Sequence, residues 1–224
     1  MSTPVSLVSA IEKAVSERSL LKHPFYQAWS AGALTRQQLA GYAKEYYWVA
    51  RNVPGIMNEI EKRVPASLAA GTKKILAEQA SEEREHVELW ERFARSLGIT
   101  KKQLRSYRPT TTVRNAVSNI TKTARKGFEE GIAAMYAFES ELPAISSTKS
   151  EGLIKFYGLR SKDAHVYFKE HIKEEKHLRL WRRFLRNVAP ARRRAALAAA
   201  RTAVAAQNQV LDGVMKRYCT GMMR

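Results

Sequence analysis

The sequence predicts an all-α protein folded as a single domain, and three observations predict it. No run of alternating Val, Ile and Thr is bounded by hairpin turns, so nothing reads as a sheet. Helix starts carry chemical markers: Thr35 with Gln38, and Thr100 with Gln103, have the spacing of capping boxes. No Pro-, Gly- or Ser-rich linker divides the 224 residues, a length that one continuous core can serve. The domain is therefore expected to span 1–224, with long helices around a shared interior.

Taken in order, the expected helices are 5–18, 23–30, 36–62, 67–97, 101–106, 111–144, 148–188 and 191–217, with breaks inside the longest. The capping boxes open 36–62 and 101–106. Gly32, Gly71, Gly98, Gly152 and Gly158 are expected between segments. Pro54 and Pro143 are expected to kink or end their helices, because proline removes a backbone donor.

Composition excludes several classes of function. Cys219 is the only cysteine, so neither an intrachain disulfide nor a thiolate metal cluster is possible. No apolar run approaches the ~18–20 residues that span a bilayer. "MSTPVSLVSAIEKAVSERS" lacks the basic and apolar regions of a signal peptide, so a cytoplasmic location is expected. The net charge is +18. Residues 101–126 hold eight Lys or Arg and no acid, and 182–194 hold six arginines. Such a surface attracts anionic partners, although a solvated basic face is the plainer reading. No zinc-finger, RRM or KH signature points to specific nucleic-acid readout. A homodimer is expected as the commonest assembly.

One string occurs twice. "EEREHVELWERFAR" begins at Glu82 and "EEKHLRLWRRFLR" at Glu174. On a helix, residues three apart share a face, so Glu83 with His86, and Glu174 with His177, each aim an acid and an imidazole at one spot. Glu-x-x-His from two helices, plus a Glu from each of two others, is the ligand pattern of di-iron and di-manganese bundles. Glu139 in "GIAAMYAFESELP" and Glu45 in "YAKEYYWVA" are candidate further acids, since a carboxylate among apolar residues is costly unless paired or metal-bound. His171 adds an imidazole shortly before His177. Trp90 and Trp181 read as packing residues walling the site.

Residues 20–54, "LLKHPFYQAWSAGALTRQQLAGYAKEYYWVARNVP", resemble the opening of the TenA/PqqC-like group, whose fold is heme-oxygenase-like. Within it the chain looks most like the CADD family, named for the chlamydial protein associating with death domains. "ILAEQASEEREHVELWERFARSLGIT", "MYAFESELPAISSTKSEGLIKFYG", "AHVYFKEHIKEEKHLRLW" and the last long helix follow in order, so the likeness covers roughly 15–215.

The resemblance implies about seven helices and a dinuclear non-heme site, Fe/Fe or Fe/Mn, that reduces O2 with an external reductant. Carried over residue by residue, it implies His86, Glu139 and His171 as ligands, with His177 reached by a one-residue shift. The acid between the last two histidines is Glu175 or Glu174. The first-helix acid aligns with Glu78, whereas helical geometry prefers Glu83 or Glu82. CADD-like proteins are associated with formation of 4-aminobenzoate, a folate precursor, from a tyrosine ring and a lysine nitrogen of the protein itself; the counterparts here are Tyr26 and Lys149. Three rivals stand beside this: a di-metal oxidase of an external amino or fatty acid, a ferritin-like bundle ligated by Glu45, Glu83, His86, Glu139, Glu174 and His177, and a non-catalytic binding module using the basic surface.

Overall fold

The computed structural model describes residues 6–68, 71–173 and 175–222. Every regular element among them is helical: α1 (Leu7–Glu17), a 3-10 turn (Leu20–Lys22), α2 (Pro24–Ser30), α3 (Arg36–Glu61), α4 (Gly71–Ser96), α5 (Lys101–Ser106), α6 (Thr111–Ala124), α7 (Phe128–Glu139), α8 (Leu142–Lys155), α9 (Lys162–His171), α10 (Glu175–Arg186), α11 (Pro190–Tyr218) and a closing 3-10 turn (Thr220–Met222).

Both capping boxes form. Thr35 accepts from the Gln38 amide while the Gln38 side chain accepts from the Thr35 amide, and Thr100 with Gln103 does the same. The long expected helices break. Residues 111–144 divide at 125–127 and again before Leu142, where Pro143 sits in the first turn of α8 and needs no backbone donor. Residues 148–188 divide at Gly158, whose φ of 66° suits glycine, and Ser161 caps α9 by accepting from the Ala164 amide. Pro54, expected to kink or end its helix, is buried inside α3, which runs on to Glu61. One local expectation is corrected. Gly152 is not between segments but inside α8, for a packing reason given below.

Packing follows the apolar patterning. α7 is apolar almost all round and nearly every residue of it is buried, so it runs through the centre with α11 along its side. Alanines 133, 134 and 137 of α7 share a core with alanines 196, 200 and 203 of α11, and side chains this small let the two backbones approach. A second core is aromatic, built from α2, α3, α4 and α9 around Trp29, Tyr42, Trp90 and Phe168. α4 packs on both α3 and α9, and α10 packs on α7. No described helix is long and apolar enough to cross a membrane. In the arginine-rich segment, Arg182 pairs with Glu175 and Arg192 with Glu130, while Arg183, Arg186, Arg193 and Arg194 are exposed.

Candidate metal centre and ring pocket

α4 carries Glu83 and His86 on one face, and α9 lies against it and delivers His171. One ligand atom from each of the three lies within 4.8 Å of the others, and all three residues are buried. Glu83 Oε1 is 3.4 Å from His86 Nδ1, and the two imidazole centroids are 4.7 Å apart. His171 Nδ1 lies 2.8 Å from the Tyr167 carbonyl, so it donates there, and the ring stacks on Tyr167 at 4.1 Å. That donation fixes the tautomer with Nε2 as the ring nitrogen able to ligate a metal. Burial opposes ionisation of Glu83, yet His86, His171 and His177 outweigh it and hold the carboxyl below its ordinary value. A carboxylate with two imidazole donors suits Fe(II) or Mn(II), and this donor set with open positions is typical of non-heme iron sites that use O2.

The other expected ligands are placed as follows. Glu139, at the end of α7, is buried and accepts from Trp181 Nε1 at 2.6 Å. His177 is buried, with Nε2 2.7 Å from Glu82 Oε2, an oxygen carried by α4 beside Glu83. Glu175 is exposed and pairs with Arg182 at 3.0 Å. Glu78 is exposed, 4.0 Å from Lys74. Glu174 lies outside the described residues. Glu45 is fully buried elsewhere, accepting from the Tyr107 hydroxyl, the Thr110 amide and Arg217, so its charge is met by a structural network.

A second buried cluster holds Tyr26 of α2 and Lys149 of α8. Lys149 Nζ lies 4.8 Å from the centroids of both the Tyr26 and Tyr42 rings and donates to the Tyr42 hydroxyl. The Tyr26 hydroxyl is 3.3 Å from that of Tyr42. Burial pushes Lys149 well below the ordinary lysine value and both phenols well above theirs, which favours the neutral form of each. Gly152 makes the approach of α2 and α8 possible. A Cβ there would meet the Trp29 ring at 2.8 Å, and Trp29 Nε1 donates to the Lys149 carbonyl.

Aromatic contacts connect the two clusters. Tyr26 meets Tyr42 edge to face at 6.5 Å, Tyr42 meets Trp90 at 5.7 Å, Trp90 meets Tyr167 at 4.7 Å, and Tyr167 stacks on His171. Tyr42, Tyr167 and Gln79, a buried residue one turn before Glu83, were not among the residues singled out for chemistry. Tyr42 and Tyr46 had a signal, four-residue aromatic spacing in "GYAKEYYWVA"; Tyr167 had its place four before His171.

A buried carboxylate–bis-imidazole cluster inside an all-helical bundle is a donor set that could hold a metal ion. The chain belongs to the TENA/THI-4/PQQC family, whose pattern it matches over residues 11–217. It is 30% identical over 229 residues to a protein of Nitrosomonas europaea named 4-aminobenzoate synthase, covering 95% of this chain and 92% of that one. A Chlamydia muridarum protein of the same name is 28% identical over 172 residues, covering 75% and 72%. Among solved structures, a CADD-like protein of unknown function from Nostoc punctiforme superimposes with a TM-score of 0.77 at 16% identity, covering 94% of this chain and 96% of that one. A domain with a heme oxygenase-like fold from Shewanella denitrificans gives 0.79 at 15% identity, covering 98% and 96%. The fold is thus heme-oxygenase-like, and the CADD-like resemblance stands.

Proposed function

We propose that this protein is an O2-dependent di-metal oxidase that forms 4-aminobenzoate, with Tyr26 supplying the ring and Lys149 the nitrogen. The observation that carries the reading is the placement of a buried lysine amine over a buried tyrosine ring. The relatives' name supports it. So does the donor set of Glu83, His86 and His171, which would hold one ion, with Glu139, His177 and a nearby acid, Glu82 or Glu175, available for a second. Iron, or iron with manganese, would supply the power to reduce O2 with electrons from an external reductant.

The residues divide the remaining work. A tyrosine side chain already has the para arrangement of the product. Keeping its ring and Cβ requires cleavage of the Cα–Cβ bond, oxidation of Cβ to a carboxylate, and replacement of the phenol oxygen, which leaves as water, by nitrogen, with oxidative cleavage of the Lys149 Cε–Nζ bond that leaves Cε as an aldehyde. O2 and the reductant balance the electrons. The amine must be neutral to present its lone pair, and burial shifts it in that direction. Tyr42 receives the amine proton in a hydrogen bond and orients the lone pair. The aromatic walls exclude bulk water. The cavity beside Tyr26 and Lys149 measures about 20 Å3, room for about one water molecule. An external aromatic substrate does not fit there, which favours the protein's own ring over a diffusible one.

The test is to express the protein with ring-labelled tyrosine, load it with iron and manganese, expose it to air with a reductant, and analyse product and protein by mass spectrometry. Labelled 4-aminobenzoate, with matching mass loss confined to the peptides holding Tyr26 and Lys149, is expected. Unlabelled or absent product would overturn the reading.

A further inference from the structure

Of the five histidines, His165 is buried yet has no part in the chemistry above. It belongs to α9, and both of its ring nitrogens are engaged. Nε2 is 2.7 Å from the Leu159 carbonyl, which can only accept, so Nε2 carries the proton. In that tautomer Nδ1, 2.7 Å from Ser150 Oγ, accepts from the hydroxyl. One imidazole therefore joins α8 at Ser150, the connection after α8 at Leu159, and its own helix. The connection is also held to α8, because the Leu159 amide donates to the Leu153 carbonyl. A buried imidazole is costly unless its nitrogens are met, and an apolar ring would fill the space with no such demand. What the imidazole adds is direction. Two bonds of restricted angle fix how α8 is turned and slid against α9.

Ser150 follows Lys149 in the chain. The Lys149 amine lies among four rings, with centroids at 4.8 Å for Tyr26 and Tyr42, 5.3 Å for Tyr46 and 5.5 Å for Phe168 of α9. The Trp29 bond to the Lys149 carbonyl anchors α8 to α2. Consecutive residues of α8 are thus tied to two different helices, Lys149 to α2 and Ser150 to α9. We propose that His165 is a positioning residue that, through Ser150, sets the turn of α8 and so places the Lys149 amine over the Tyr26 ring. The placement rests on these contacts alone; its use, delivery of nitrogen to the ring, rests on the proposed function.

Nuclear magnetic resonance of the metal-free full-length protein, labelled with carbon-13 at lysine Cε, reads the placement without turnover. Aromatic rings shift protons held over their faces upfield. The Lys149 signal, identified by its loss in Lys149→Met, should therefore stand apart from those of exposed lysines. In His165→Phe, and in the milder Ser150→Ala, it should move towards the exposed-lysine position. Ser161→Ala removes the cap of α9 without touching the tie, so it controls for a merely weakened helix and should leave the signal in place. An unmoved signal in Ser150→Ala and in folded His165→Phe, or an equal movement in Ser161→Ala, would overturn the proposal. Product from metal-loaded, ring-labelled protein is scored separately. The yield of 4-aminobenzoate per chain should fall roughly tenfold or more in His165→Phe, since small misplacements of a reacting group are costly. It should change little in Ser161→Ala. A moved signal with undiminished yield would remove His165 from the reaction. A moved signal with no product even from the wild type leaves the placement standing and sinks the oxidase reading.

Discussion

Lys149 Nζ lies 4.8 Å above the Tyr26 ring, with Lys149 4% and Tyr26 3% exposed. A lysine has no structural need of such a place, because burying its charge is expensive and its neutral form offers only weak cation-free packing. Under the proposed function the pair is two reactants held in register, where proximity replaces a bimolecular encounter.

Substituting either partner separates packing from chemistry. Tyr26→Phe removes one hydroxyl contact to Tyr42 and should cost about 1 kcal/mol of stability. Product should nevertheless fall below detection, because a phenyl ring has no oxygen to exchange. Lys149→Met, close in volume and free of the amine, should fold and also yield none. Thermal melts with single-turnover product assays check both; a Tyr26→Phe protein with wild-type yield would remove Tyr26 from the reaction.

The pH dependence of stability reports the same lysine. Its folded pKa is depressed by burial, so between the folded value and the ordinary one the unfolded chain binds more protons there than the folded one. Stability therefore rises with pH from the folded value of Lys149 towards the ordinary lysine value near 10.5. Lys149→Met removes that linkage. The variant should exceed the wild type in stability most at the low end of this window, and the gap should narrow as pH rises. Parallel urea titrations at several pH values measure it, and a gap that stays constant would show Lys149 charged in the native state.

How far the sequence showed all this can be argued from its twin strings. Helical periodicity tells which residues share a face of one helix, and Glu83 with His86 came together as that rule requires. It does not tell which helix meets that face. The third member of the cluster is His171, while His177 turns to Glu82 of the other string, because the chain bends after His171 and restarts at Glu175. The capping boxes were legible, being local chemistry. Gly152 looks like a separator in the sequence because its role, contact with Trp29 far away in the chain, leaves no local trace. Tyr26 and Lys149 were visible only through family resemblance, since nothing in either neighbourhood announces that α2 and α8 meet.

Metal binding should appear as stability. A ligand that binds only the folded state at a hundredfold excess over its Kd adds about 2.7 kcal/mol. For a chain of this size each kcal/mol shifts Tm by roughly 2–4 °C. Fe(II) under anaerobic conditions, or Mn(II), should therefore raise the wild-type Tm by several degrees. His171→Ala and Glu83→Gln should abolish most of that rise. Glu78→Gln, in an exposed side chain paired only with Lys74 here, should retain it. Equal loss in all three would place Glu78 among the ligands.

Gly152→Ala tests whether the helix approach matters to the chemistry. The added methyl would sit 2.8 Å from two atoms of the Trp29 ring, below any ordinary contact. Trp29 is fully buried against Tyr42 and Tyr157, so it has little room to yield. Overpacking of this kind costs roughly 1–3 kcal/mol. The strain is relieved most directly by parting α2 from α8, which also lengthens the separation of Tyr26 from Lys149. Product yield per chain should therefore drop severalfold at temperatures where the variant remains folded, while its metal-induced rise in Tm, set on α4 and α9, should stay near that of the wild type. A variant with weaker metal binding and an unchanged yield per bound metal would place the control of the reaction at the metal centre and not at the contact between Tyr26 and Lys149.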